Sequence, residues 1–136
     1  MVELLVNIDV DDLDASVRFY TRAFELTAGR RLGPYAVELD GAGAKLYLLA
    51  KDAGTKPFGG AASARDYRRH WTPVHLDFVV ERLEPALARA LEAGAIQESA
   101  IDEHAWGRIV ACADPWGHGF CLLEFVGRGY DELAGG

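Results

Sequence analysis

The chain has 136 residues, half of them hydrophobic and 26% charged, and carries a formal charge of −7. That length supports one well-buried core, and the acidic balance argues against a phosphate-backbone partner, because nucleic-acid binding draws on clustered Lys and Arg. No apolar run approaches the roughly 20 residues of a membrane-spanning helix, and Met1-Val2-Glu3-Leu4 lacks a basic secretory start, so a cytoplasmic protein without membrane partners is expected.

Residues 3–10 alternate as a strand, with Val6, Ile8 and Val10 on one face and Leu5, Asn7 and Asp9 on the other. Leu13, Val17, Tyr20 and Phe24 then recur at helical spacing, with Asp11 or Asp12 as N-cap and a helix end near residues 25–27. Runs at 29–32, 35–39 and 45–50 read as three strands, separated by Gly33-Pro34 and Gly41-Ala42-Gly43. Residues 52–73 are rich in Gly, Ala and charge and read as a connection. Its basic cluster, Arg65, Arg68 and Arg69 with His70, reads as a solvated loop.

The order then repeats. An offset of 70 residues lays Leu5–Val10 over His75–Val80 and Leu13 over Leu83 without a gap through the helix. The second helix, over residues 84–93, should bury Leu83, Leu87, Ala90 and Leu91, accept Pro85 in its first turn and stop at Gly94. Strands follow at 95–99, 108–113 and 120–126, the last two joined by Asp114-Pro115-Trp116-Gly117-His118-Gly119. Hairpin pairing about that six-residue turn would set Cys112 opposite Cys121 on one face. These thiols are too few for a disulfide framework; they read as small buried hydrophobes, with a soft-metal site together with His75 as the alternative.

The expected fold is therefore α+β: two tandem βαβββ modules forming a curved mixed sheet around a concave trough. As one domain over 1–136, it has module one at 1–51, a linker at 52–73, module two at 74–126 and a polar surface tail at 127–136. Side chains turned away from the helices would line the trough, which is where a ligand is expected.

Val10-Asp11-Asp12-Leu13 with Ser16 and Phe19-Tyr20, and then Trp106-Gly107-Arg108 and Asp114-Pro115-Trp116-Gly117-His118, resemble the two module signatures of the vicinal oxygen chelate superfamily of glyoxalases, bleomycin-resistance proteins and extradiol dioxygenases. The resemblance covers nearly the whole chain. It implies a divalent metal held by four ligands, one on the first and one on the last strand of each module. Carried over, those positions fall on Leu5, on a last strand of residues 44–50 whose only oxygen donor is Tyr47, on His75 and on Cys121. Glu124 falls on the opposite face by alternation. Hard ions need several oxygen ligands and catalytic Zn²⁺ about three protein ligands, so no metal or other cofactor is expected. The resemblance then points to the bleomycin-resistance type, a homodimer that sequesters a small molecule. The alternative is a metal-dependent lyase, isomerase or dioxygenase with a displaced site around His75.

Candidate ligand-binding residues are Asn7, His75, Asp77, Trp106, Arg108 and Cys121. His75 reads as a retained ligand position, a hydrogen-bonding group or a core imidazole; Asn7, His75 and Asp77 share a face, and an Asp beside a His favours a cationic or proton-donating ligand. Trp106 can stack on a flat ligand or simply pack, and Arg108 can grip a carboxylate. His104 and Glu103 precede them in a loop, and Trp71 with His70 can close over the trough or join a dimer contact.

Overall fold

Strand β1, Leu5–Val10, leads into helix α1, Leu13–Ala23, through Asp12, whose carboxylate accepts the Ala15 N–H at 3.0 Å and so caps the helix start. The buried stripe of α1 is Leu13, Ser16, Phe19, Tyr20 and Ala23. Ser16 is tolerated inside because its hydroxyl donates to the Leu13 carbonyl at 2.7 Å. Strand β2, Thr27–Arg31, a short 3-10 turn at Gly33–Tyr35, β3, Ala36–Asp40, and β4, Lys45–Ala50, complete the first module. The sheet order is β1-β4-β3-β2, with β1 parallel to β4 and the other pairs antiparallel. Ile8, Val10, Val37, Leu39, Leu46 and Leu48 form the buried helix-facing layer.

The second module repeats the plan. Strand β5, Leu76–Val79, is followed by α2, Leu83–Ala93, then β6, Ile96–Gln97, β7, Asp102–His104, β8, Gly107–Ala113, and β9, Gly119–Phe125. The order is β5-β9-β8-β6, with β7 pairing β8 and β5 parallel to β9. Leu13 and Leu83 open helices of 11 residues each, so the offset of 70 holds into the structure. Helix α2 starts on Arg82, which offers no side-chain cap; the Leu83 N–H instead donates to Glu124 Oε2 at 2.7 Å. Gly94, at φ +125°, ends it.

This computed structural model describes residues 1–134, and the chain divides into two compact units, Met1–Arg68 and Arg69–Gly136. The division falls inside the expected linker. Residues 52–68 fold back on the first unit: Arg65 Nε donates to Asp9 at 2.8 Å, and the Tyr67 hydroxyl to the Lys51 carbonyl at 2.7 Å. The basic cluster is thus spent internally, since Arg68 pairs with Asp66 and Arg69 with Glu98.

Five expectations are corrected. The Asp114 turn has five residues, not six, because Gly119 is already in β9 opposite Ala113. Cys112 therefore pairs with Phe120 and Cys121 with Ala111, and the one-residue shift puts the two cysteines on opposite faces. Leu91 is 39% exposed, at the margin of the α2 stripe. The expected strand 95–99 is cut to two residues, and the strand Asp102–His104, polar throughout, carries no apolar alternation to reveal it. The tail, of which residues 135–136 lie outside the described residues, is more than a polar arm. It forms a 3-10 turn, Gly129–Glu132, that lays Tyr130 against Phe125 and Trp106, with ring centroids 4.8 and 5.2 Å apart.

Candidate functional site

Each sheet has one face turned from its helix, and the strand registers make the two faces comparable position by position. In the first unit Asn7 pairs with Tyr47, and Tyr47 with Glu38. In the second, Asp77 pairs with Cys121, and Cys121 with Ala111. Asn7 thus corresponds to Asp77, Tyr47 to Cys121 and Glu38 to Ala111; at the strand start, Lys45 corresponds to Gly119.

In the first unit this face is filled. Glu38 is only 2% exposed, gripped by Arg30 Nε and Nη2 at 3.1 and 2.8 Å and by the Tyr47 hydroxyl at 2.8 Å, with Lys45 Nζ 3.4 Å away. Lys45 also reaches Asp40 at 3.3 Å. The Arg30 and Tyr47 hydrogen bonds hold the Glu38 carboxyl down at about 2, and donating its proton to that carboxylate keeps the Tyr47 phenol above its ordinary range. A buried carboxylate is stable only when so satisfied.

In the second unit Ala111 and Cys121 are smaller than their counterparts and Arg69 lies over Gly119, and a depression of about 140 Å³ results, lined by Arg69, Trp71, His75, Glu98 and Cys121 among others. The depression holds a connected polar end. His75 Nδ1 stands 3.4 Å from Asp77, which lies opposite Cys121 across the β5-β9 pair. Burial, then the Asp77 charge, push the Cys121 thiol up, so it is protonated at neutral pH and a poor nucleophile. Cys112, on the helix side, is pushed up to about 11 by burial. The wall is Arg69, which forks onto Glu98 at 2.7 and 2.9 Å. His70 packs its ring on His118, centroids 4.7 Å apart, and donates its N–H to the Gly117 carbonyl at 3.1 Å. Burial and the His118 charge lower its pKa.

Of the candidate residues, His75, Asp77 and Cys121 come together. Asn7 is exposed in the first unit, beside Tyr47. Trp106 joins the Phe125 and Tyr130 rings and stacks on His104, centroids 5.0 Å apart. Arg108 shares the helix-side face of β8 with Val110 and Cys112. It is bound by Glu84 and, at 3.1 and 3.2 Å, by Glu124, so its fork is taken by the chain's own carboxylates. Sequence reading did not find Glu38, Glu98 or the role of Arg69. The signal for Glu38 was a carboxylate between two apolar residues, Val37 and Leu39. For Arg69 it was a glycine, Gly119, opening a strand.

A larger hollow of about 510 Å³ at the start of α1 is walled by Asp11, Asp12, Asp14 and Asp52 with Arg31 and Tyr35. Arg31 pairs with Asp14 at 2.8 Å there. Among the described residues, no three His, Cys, Asp or Glu side chains converge in a way that could hold a metal ion. Among them too, no helix is long and apolar enough to cross a membrane.

The glyoxalase-like domain model matches residues 5–123. The chain belongs to that family, within the glyoxalase, bleomycin-resistance and dioxygenase superfamily. An uncharacterized protein of Mycobacterium tuberculosis, Rv0887c, is 29% identical over 125 residues, covering 86% of this chain and 71% of its own. A glyoxalase-related enzyme from Fulvimarina pelagi superposes with a TM-score of 0.71 at 23% identity, over 91% of this chain and 87% of its own. The fosfomycin resistance protein FosX of Listeria monocytogenes does so with 0.70 at 16% identity, over 98% and 96%. These structural likenesses show the fold, two βαβββ modules. The superfamily's metal does not fit the donors present. At the four inherited positions Leu5 has no donor, the Tyr47 hydroxyl is bound to Glu38, and His75 and Cys121 alone could ligate.

Proposed function

We propose that this protein binds a small organic molecule on the open face of its second unit, without the divalent metal of the superfamily's enzymes, as a cytoplasmic homodimer of the bleomycin-resistance type. One observation carries the reading: the same strand positions that hold Glu38, Tyr47 and Lys45 in the first unit hold Ala111, Cys121 and Gly119 in the second, and a depression opens there. Sites for small molecules are concave, largely preformed and furnished with a few directed polar groups. His75, Asp77 and Cys121 supply those groups. The His75 Nδ1 faces Asp77, and a neutral ring carrying its proton on that nitrogen would offer Nε2 as a hydrogen-bond acceptor.

The test is a fragment screen by ligand-observed NMR on the wild-type chain and on Cys121→Tyr, which refills the depression as Tyr47 fills its counterpart. Hits that vanish in Cys121→Tyr support the reading, and hits that persist contradict it. Elemental analysis of the purified protein addresses the metal: stoichiometric metal lost on His75→Ala would overturn the metal-free reading and favour an enzyme with a displaced site.

A further inference from the structure

Arg69 presents only a face to the depression. Its Nε and Nη2 donate to Glu98 at 2.7 and 2.9 Å, while Nη1 donates to the His70 carbonyl and, at 3.4 Å, to that of Gly117. The guanidinium edge is therefore committed to the chain's own oxygens and is not set up to grip an anion. Gly119 is what lets the group lie there: a Cβ at that position would stand 2.9 Å from Arg69 Cζ and closer still to Nη2. One side of the plane is thus against the start of β9. The Arg69 side chain remains 41% exposed. Trp71, in the same lining and 78% exposed, adds an indole surface.

Guanidinium planes and indoles both stack on flat π-systems. The depression, about 140 Å³, is close to the size of a cavity of about 150 Å³ that accommodates benzene. At its polar end His75 offers an acceptor. Glu98 and Asp77 add negative charge that disfavours a carboxylate ligand.

Building on the ligand-binding reading above, we infer that this depression is a slot for a single planar aromatic ring bearing an uncharged N–H or O–H donor, the ring lying on Arg69 and Trp71 and the donor meeting His75. Aromatic carboxamides and phenols have this form. Saturated rings and aromatic carboxylates do not.

The probes are benzamide, cyclohexanecarboxamide and benzoate, titrated into isotopically labelled protein and followed at the Trp71, Ala111, Gly119 and Cys121 amides. Benzamide should bind about tenfold more tightly than the saturated amide, the ratio that 1.4 kcal/mol of stacking supplies, and more tightly than benzoate. Trp71→Leu, at an exposed position that does not disturb folding, and Arg69→Lys, which keeps the charge and loses the plane, should each cut the ratio severalfold. Equal binding of the two amides at these amides overturns the planar class and leaves the depression standing as a ligand site. Preference for benzoate overturns the exclusion of anions. No perturbation by any of the three overturns the slot, and the Cys121→Tyr screen then decides whether the depression binds ligands at all.

Discussion

The two halves share a backbone plan and differ in how they finish it. The first caps its helix locally, with Asp12, and closes the sheet face opposite that helix with the Arg30, Glu38, Tyr47 and Lys45 network. The second caps its helix from a strand, with Glu124, and leaves the corresponding face open around Cys121. A repeated module thus keeps the helix-side core that folding requires, while the other face is free to be filled in one copy and emptied in the other. Under the proposed function, side-chain volume at matched positions selects the copy that would bind.

The comparison can be broken at several depths. The helix-side cores should be equivalent: Leu48 and Leu122 are each 0% exposed at matched positions, and Leu→Ala at either should cost about 2–5 kcal/mol in urea unfolding. A cost confined to one of them would show that the halves do not share a folding core. The caps should differ. Asp12→Ala removes one local bond, worth about 0.5–2 kcal/mol. Glu124→Ala should cost more, since it strips both the Leu83 N–H and the Arg108 guanidinium of a partner.

The closed face should also make stability depend on acid. Glu38 titrates lower in the folded chain than its ordinary value of 4.5, at about 2, so its contribution is present above the ordinary value and is lost as pH falls between the two. Thermal unfolding of Glu38→Gln should show a shallower fall between pH 5 and about 2 than the wild-type chain. Identical profiles would mean that the network does not hold the carboxylate. The smallest effect belongs to the tail. Tyr130→Ala should cost about 0.5–1.5 kcal/mol through its lost ring contacts with Phe125 and Trp106, and a neutral result would return the tail to a solvated arm.

Much of the architecture was legible in the residues. The offset of 70 places both helix starts, and strand β4 falls on the apolar run from Lys45 to Ala50. What was not legible has physical causes. Asp102–His104 pairs through backbone groups alone, so no side-chain alternation marks it. The β8-β9 register depends on whether Gly119 belongs to the turn or the strand, a distinction of one residue that turns Cys112 to the helix side, away from Cys121, and places Arg108 under the start of α2. His75, Asp77 and Cys121 were found from strand positions. Arg69 and Glu98 were not, because an ion pair between a linker residue and a loop residue 29 positions away leaves no periodic trace.

The central claim is that ligand binding belongs to the second sheet face and not the first. The most direct test is to map amide chemical shifts across both faces while titrating benzamide. Saturable shifts at Ala111, Gly119 and Cys121, with Asn7, Glu38 and Tyr47 unmoved, are the expected result. Saturable shifts at Asn7, Glu38 and Tyr47 with the second face silent would contradict the account.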